Sequence, residues 1–265
     1  MFTVVACGFA AASIPGLRAE DVTVMPHPTS DAFVDVALDL ALDLAASDQP
    51  VLLLHDSAPG SEHRTRMLRS ATGRRMMLPV GLSVPPTALA AAATVLATLA
   101  RADLEPGAVL GSLGWLAAGL PVQALTARLS RLEYDGIRLS HRLAALVPRS
   151  VTALRFEETV LVGSSAREPL HAVIPSTLVV AGDARLGDTL PTAAGDIAES
   201  TRPDGIDAFG TAWWGTRSYA ERCLVPLSLD PWVDRISAAS WRRCPQCQGA
   251  MGAHCHFCSA QEVLT

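Results

Sequence analysis

The residues best suited to chemistry are four cysteines in the stretch CPQCQGAMGAHCHFC at 244–258. They form two C-x-x-C pairs, Cys244 with Cys247 and Cys255 with Cys258, separated by seven residues. Each pair can fold as a tight turn with both sulfurs on one side, and two such turns supply the four ligands of a tetrahedral metal. We therefore predict a zinc site. Because protein sulfur would fill every position around the metal, we expect a structural role for it.

Other uses of this cluster stay open. His254 and His256 flank Cys255, so a site of three cysteines and one histidine is also compatible with the spacing. An iron–sulfur cluster would need the same four thiolates. A thioredoxin-like redox pair is not expected, since such a C-x-x-C follows a strand and has no second pair beside it.

The cysteine pattern resembles short zinc-ribbon modules of the type CPxC…CxxC over about residues 241–262. That family usually has glycine directly after the second cysteine of each pair, where Gln248 and Ser259 stand in this chain. The resemblance implies a small metal-folded module at the C-terminal end of the sequence.

A second group of candidate residues follows predicted strands in the first part of the chain. Cys7, His27, His55 and Asp56 offer a nucleophile, possible bases and an acid that could orient a base. The carboxyl ends of parallel strands meet at one edge of a sheet, so these residues are candidates for a catalytic pocket. The alternative for Cys7 is a small buried hydrophobic residue.

A basic stretch at 61–77 is the candidate nucleic-acid contact. It contains one acid, Glu62, and five arginines: Arg64, Arg66, Arg69, Arg74 and Arg75. Such a stretch is either a phosphate-binding patch or a solvated helix face.

The elements that must position these groups indicate an α/β fold. Apolar runs at 2–9, 22–28 and 50–56 predict strands, and 30–46 has the apolar spacing of a helix. The run PVLLLHD is apolar without alternation, which is typical of a strand covered on both faces. We expect a small parallel or mixed sheet here, with α+β as the alternative.

The middle of the chain, 86–147, is predicted to be helical. Residues 111–139 resemble the helix-turn-helix part of winged-helix proteins, with a break at Gly119 and Pro121 at the start of a recognition helix. Ordinary helical packing explains the same residues. Two β-rich runs at 151–163 and 170–183 predict an antiparallel hairpin, and 184–211 predicts a long loop, linker or lid.

Composition limits the range of functions. All 21 basic residues are arginine, and lysine and asparagine are absent, as in proteins from GC-rich bacterial genomes. The net charge of −5 gives no overall attraction to nucleic acid or anionic membranes. The apolar run at 85–100 is too short and too mild to span a bilayer. We expect a cytoplasmic bacterial protein.

Three regions follow from these patterns: an α/β main domain at 1–183, a loop-rich and Trp-rich connecting segment at 184–240, and a zinc-ribbon-like module at 241–265. The favoured function is a binding or adaptor factor for protein or nucleic acid with a structural zinc. The alternative is an α/β enzyme with a pocket near Cys7, His27 and His55 and the zinc module as a stabilising tail.

Overall fold

The computed structural model describes residues 2–28, 30–43, 49–72, 77–129, 137–145, 151–157, 159–252 and 255–258. The first sheet contains four strands: β1 (Thr3–Cys7), β2 (Val22–Met25), β3 (Val51–Asp56) and β4 (Met77–Leu82). They are all parallel and lie in the order β2-β1-β3-β4. Helices α1 (Phe33–Asp43) and α2 (Pro59–Thr72) follow β2 and β3.

Both faces of the first sheet are covered, which explains its almost continuous apolar strands. Val5 and Leu53 pack on one side with Phe33 of α1, whereas Val4 and Leu52 belong to the main core on the other side. Successive side chains of a strand point to opposite faces, so a strand buried on both faces needs apolar residues throughout.

The second sheet is mixed and larger. Its strands are β5 (Val122–Thr126), β6 (Thr152–Phe156), β7 (Val160–Val162), β8 (His171–Gly182), β9 (Ala194–Thr201) and β10 (Tyr219–Pro226). They lie in the order β7-β6-β5-β10-β8-β9. Neighbours are antiparallel except β8 and β9, which run parallel with register shifts between Ala172 and Leu178.

Helix α3 (Pro86–Leu99) packs between the two sheets. All of its residues except Thr98 are buried, and its middle is the run Ala90–Ala93. Alanine is a strong helix former whose single methyl group allows close approach on every side. The buried Thr94 hydroxyl donates to Ala12 O at 2.6 Å, which ties the helix to the segment after β1. One continuous core therefore includes residues from both sheets.

The N-terminus of α3 is tied to the second sheet by a buried carboxylate. Glu221 of β10 is 2% exposed, and it accepts hydrogen bonds from the Thr87 amide at 2.7 Å and from Trp214 Nε1 at 2.8 Å. The first amides of a helix lack partners inside the helix, so an acceptor there stabilises it. Burial raises the pKa of Glu221 to about 7, although both hydrogen bonds oppose the rise.

Shorter elements complete the chain. They are α4 (Pro106–Gly111), α5 (Leu113–Ala118), α6 (Leu139–Ala144), α7 (Ala184–Gly187), α8 (Ile206–Trp214), α9 (Asp230–Ala238), β11 (Arg242–Arg243) and β12 (Ala250–Met251). Within the described residues, no helix has the length and apolar character needed to cross a membrane.

The α/β class, the strands β1, β2 and β3, and the helices α1 and α3 confirm the sequence predictions, whereas β4 was not predicted. The winged-helix resemblance is wrong, because residues 122–126 form β5, a central strand of the second sheet, and not a recognition helix. All five residues of β5 are buried. A stretch without an exposed face fits the two-residue repeat of a strand and the 3.6-residue repeat of a helix equally well. Residues 130–136 of this stretch lie outside the described residues.

Two further predictions need correction. The runs at 151–163 and 170–183 do not pair with each other: β6 and β7 form the hairpin, while β8 pairs with β10 and β9. The expected loop at 184–211 contains α7, β9 and most of α8. Most residues of β9 are exposed or partly exposed on the edge of the sheet, so the strand carries little apolar signal.

The buried carboxylate gives a test of this architecture. The pKa of Glu221 is raised from its ordinary value of 4.5 to about 7. The stability that the protonated side chain contributes is therefore complete below about pH 4.5 and is lost as the pH rises through 7. We expect the free energy of unfolding to fall from pH 5 to pH 8 by up to roughly 3 kcal/mol more than in Glu221→Gln. Urea denaturation of both proteins across this range measures the difference, and parallel pH profiles would contradict the assignment.

Candidate functional site

The carboxyl ends of the first sheet carry a group of polar residues that we call the strand-end group. Its members are Gly8 after β1, His27 after β2, Asp56 and Ser57 at the end of β3, and Ser83 after β4. Ligands of open α/β sheets bind outside this edge. Two of the candidates from the sequence lie close together at this edge, with His27 Nε2 3.7 Å from Asp56 Oδ2.

Local backbone geometry positions the histidine. Gly8 has a φ of +92°, and a Cβ added there would lie 2.6 Å from His27 Cδ2, so the close approach needs glycine. Burial would raise the pKa of Asp56, but the neighbouring His27 and Ser61 side chains lower it below its usual value. Asp56 is therefore ionised at neutral pH.

His55 and Cys7 are placed differently from His27. His55 is 1% exposed, its Nδ1 lies 2.5 Å from Asp56 O, and burial lowers its pKa, so the ring is neutral. Cys7 is fully buried in the core under α1, where burial and then the charge of Asp56 raise its pKa to about 12. A neutral buried thiol is a poor nucleophile. The structure thus brings His27 and Asp56 together but keeps Cys7 in the core.

Two serines complete the strand-end group. Ser57 Oγ and Ser83 Oγ are 2.6 Å apart on exposed residues at the ends of β3 and β4. No sequence pattern indicated that these two serines meet; the signal for Ser83 is its position directly after the short apolar run MLPVGL at 77–82, which was not predicted as a strand. From the second half of the chain, Phe209 of α8 contacts this edge, with ring centroids 5.5 Å from Phe9 and 6.1 Å from His27.

A cleft of about 440 Å³ lies along β4. Its lining comprises residues 79–82 of β4, the corner between α4 and α5, Glu62 and Arg66 of α2, and Gly252 and His256 from the cysteine-rich segment. Clefts of this size accommodate small organic ligands. Its walls expose at least as much polar as apolar surface, and Glu62, Arg66 and His256 are among the lining residues.

The described arginines of the basic stretch bind to the protein itself. Arg64 donates to Ser30 O at 3.2 Å, Arg66 pairs with Glu62 at 2.6 Å, and Arg69 donates to Phe257 O at 2.8 Å. Arg74 and Arg75 lie outside the described residues.

The four cysteines come together as the spacing predicts. All four Sγ atoms lie within 4.8 Å of one another, with 3.2 Å between Cys244 and Cys258 and 3.6 Å between Cys247 and Cys255. Sulfurs bound to one tetrahedral zinc at about 2.3 Å are roughly 3.8 Å apart, so the donor set fits a metal ion. Backbone hydrogen bonds, first from Cys247, lower the pKa of Cys244 to about 6. The cluster consists of cysteines; His256 lines the cleft, and His254 lies outside the described residues.

The hairpin of β11 and β12 shapes the first C-x-x-C turn. The Cys244 amide donates to Gly249 O at 2.9 Å, and the Gln248 amide donates to Cys244 O at 2.9 Å. Gln248 has a φ of 59°, a left-handed conformation that glycine adopts more easily. The departure from the zinc-ribbon pattern at this position therefore costs some backbone strain but still gives a compact turn.

The cysteine-rich segment 241–258, which we call the cysteine module, is docked on the main body. Glu105, just before α4, accepts from the Ala250 amide at 2.6 Å and from Arg243 at 2.7 Å. Trp241 packs against Trp115 with ring centroids 5.4 Å apart. Aromatic packing therefore forms part of the surface on which the module docks.

The fold defines the class of protein. It is DegV-like, as shown by a DegV family protein from Corynebacterium glutamicum with 15% identity and a TM-score of 0.53, covering 86% of this chain and 98% of that one. A stearic acid-binding protein from Eubacterium ventriosum has 10% identity and a TM-score of 0.55, covering 86% of this chain and 99% of that one. No family model and no curated protein sequence matches the chain.

This likeness corrects the favoured function. The interpretation as an adaptor for protein or nucleic acid is wrong, because the similarity to DegV-like structures spans most of the chain. The two features behind that interpretation also have other roles: the described arginines of the basic stretch bind within the protein, and the predicted recognition helix contains a core strand.

Cysteine reactivity tests the site geometry. In native protein treated with a chelator, we expect iodoacetamide to label the exposed Cys247 and to leave the buried Cys7 and Cys223 unmodified. Both buried thiols should be labelled after denaturation in guanidinium. Peptide mapping by mass spectrometry identifies the modified positions, and labelling of Cys7 in native protein would restore it as a candidate nucleophile.

Proposed function

We propose that the protein binds a long-chain fatty acid. The observation that carries the proposal is the likeness of fold to a stearic acid-binding protein over 86% of this chain and 99% of that one. The carboxyl group would lie at the strand-end group, and the apolar tail would extend between elements packed on the first sheet.

The strand-end group has the chemistry to hold a carboxyl group. The Ser57 and Ser83 hydroxyls are exposed, and each can turn from its partner to donate a hydrogen bond to a ligand oxygen. The His27 ring lies between Gly8 and Asp56, with its Nε2 3.7 Å from Asp56 Oδ2. Phe9 and Phe209 supply apolar surface beside these groups.

For the cysteine module, we propose zinc held by Cys244, Cys247, Cys255 and Cys258. Four thiolates saturate a tetrahedral zinc and leave no position for water, so the metal would stabilise the fold of the module. The short sequence between the ligands has little core of its own, which is the usual reason that such a module needs a metal.

Fatty-acid binding can be tested on the two serines. Delipidated protein should bind radiolabelled stearate, and Ser57→Ala with Ser83→Ala should weaken binding by at least about tenfold, since a hydrogen bond to a charged group contributes roughly 1.5–3 kcal/mol. Ser200→Ala on the exposed edge strand β9 is the matched control. Absence of stearate binding by the unsubstituted protein, in equilibrium assays and in lipid extracts, would refute the proposal.

Metal content tests the zinc site. We expect elemental analysis to give about one zinc per chain, and Cys244→Ser with Cys247→Ser to lose it. Cys7→Ala, which changes a buried cysteine outside the cluster, should keep the metal. Circular dichroism of the double variant should show the main sheets intact. Unchanged zinc in the double variant, or iron in place of zinc, would contradict this assignment.

A further inference from the structure

The carboxylate of Glu221 joins two helices that border the strand-end group. Its Oε1 accepts from the Thr87 amide at 2.7 Å, in the first turn of α3, and its Oε2 accepts from Trp214 Nε1 at 2.8 Å, at the end of α8. Each oxygen therefore has a different helix as its partner. Glu221 itself lies in β10, a central strand of the second sheet whose residues are all buried, so the carboxylate has a rigid base.

On the α3 side, the link from this carboxylate to the serine pair is short and stiff. Ser83 precedes Thr87 by four residues, and Pro85 and Pro86 stand between them. A proline ring fixes the φ angle of its own residue and restricts the residue before it. The position of the Thr87 amide therefore limits where the Ser83 hydroxyl can lie.

On the α8 side, the link runs through a single helix. Trp214 and Phe209 are both buried, and both belong to the nine residues of α8. The Phe209 ring contacts the edge of the first sheet, with centroids 5.5 Å from Phe9 and 6.1 Å from His27. Because the backbone hydrogen bonds of a helix keep its residues in fixed relative positions, the Trp214 indole limits where the Phe209 ring can lie.

These two links end on opposite sides of the strand-end group. In the order β2-β1-β3-β4, the aromatic partners of Phe209 follow β1 and β2, whereas Ser83 follows β4. β1 and β4 are two strand spacings apart, which is roughly 10 Å. A carboxyl group bound at the serines would thus have the Phe209 ring across the same edge of the sheet. The separation of these two sides depends on the one carboxylate that holds both α3 and α8.

We propose that Glu221 is a positioning residue for the bound fatty acid, because its two hydrogen bonds set the separation between the serine pair and Phe209. The inference rests on the proposed function. Glu221 is 2% exposed, so it acts through the two helices and not by contact with the ligand. Groups that bind a ligand need to be held within about 0.5 Å of their productive positions, which is why the support behind them affects affinity.

Glu221→Gln tests this role. An amide has one accepting oxygen and one donating NH2 group, so the variant keeps one hydrogen bond and sets two donors against each other at the other position. At pH 8, above the pKa of about 7 of Glu221, the unsubstituted carboxylate accepts at both oxygens. We expect stearate to bind the variant about tenfold more weakly at this pH, within the range of roughly 2- to 30-fold for substitutions that act through packed networks.

Thr177→Val is the matched control. It removes a buried hydrogen bond of the same sheet, from the Thr177 hydroxyl to Glu199 O, which joins β8 to β9 and not to α3 or α8. The stearate affinity of this variant should stay within about twofold of that of the unsubstituted protein. Circular dichroism verifies that each variant is folded under the conditions of the binding assay.

A double-variant cycle separates positioning from a general loss of stability. If Glu221 acts through the two sides of the site, Glu221→Gln should lose much of its effect on stearate affinity in a Phe209→Ala or a Ser83→Ala background. A general loss of stability would weaken binding equally in every background. Without ligand, the NMR signals of the His27 ring, assigned with His27→Gln, should shift in Glu221→Gln because the neighbouring Phe209 ring moves, but not in Thr177→Val.

The outcomes distinguish this inference from the proposed function. Stearate binding that is unchanged in Glu221→Gln, an equal loss in all backgrounds, or His27 signals that do not shift would overturn the inference and leave the proposed function standing. If the unsubstituted protein does not bind stearate, the proposed function fails and the inference fails with it. If Glu221→Gln does not fold, Trp214→Phe, which removes the donor on α8, takes its place in the same cycle.

Discussion

The packing of α3 between two sheets is the constraint on which the rest of the structure depends. An alanine-rich helix is narrow enough for both sheets to approach it, so one core replaces two small ones. The carboxylate of Glu221 fixes the N-terminus of that helix to the second sheet. Because β4 leads directly into α3, this anchor also sets the position of Ser83 beside Ser57.

The sequence predicted those elements and sites whose formation depends on neighbouring residues in the chain. The apolar runs of β1 and β3 are covered on both faces, and their composition alone identifies them. The four cysteines were predicted from spacing because two C-x-x-C turns need only short-range geometry. The position of His27 and Asp56 at one edge could be expected as well, since parallel strands have their carboxyl ends together, but their 3.7 Å approach had no signal in the sequence.

What the sequence could not predict depends on contacts between distant residues. β5 is buried on both faces, so its pattern is equally compatible with a helix, and only the pairing with β6 and β10 decides. The Ser57–Ser83 contact joins residues from separate strands and has no motif. The arginines of α2 have the composition of a phosphate-binding patch, but their described partners include backbone carbonyls of Ser30 and Phe257, which no local pattern shows.

The backbone contact between Gly111 and Gly252 limits which residues can occupy these two positions in related proteins. A side chain at either position would push the module away from α4, so neither glycine can change alone while the module stays docked. A DegV-like chain that lacks the four cysteines has no such restriction at the position equivalent to Gly111. Joint occurrence of this glycine pair with the cysteines is therefore a sequence marker for proteins that share this docked arrangement.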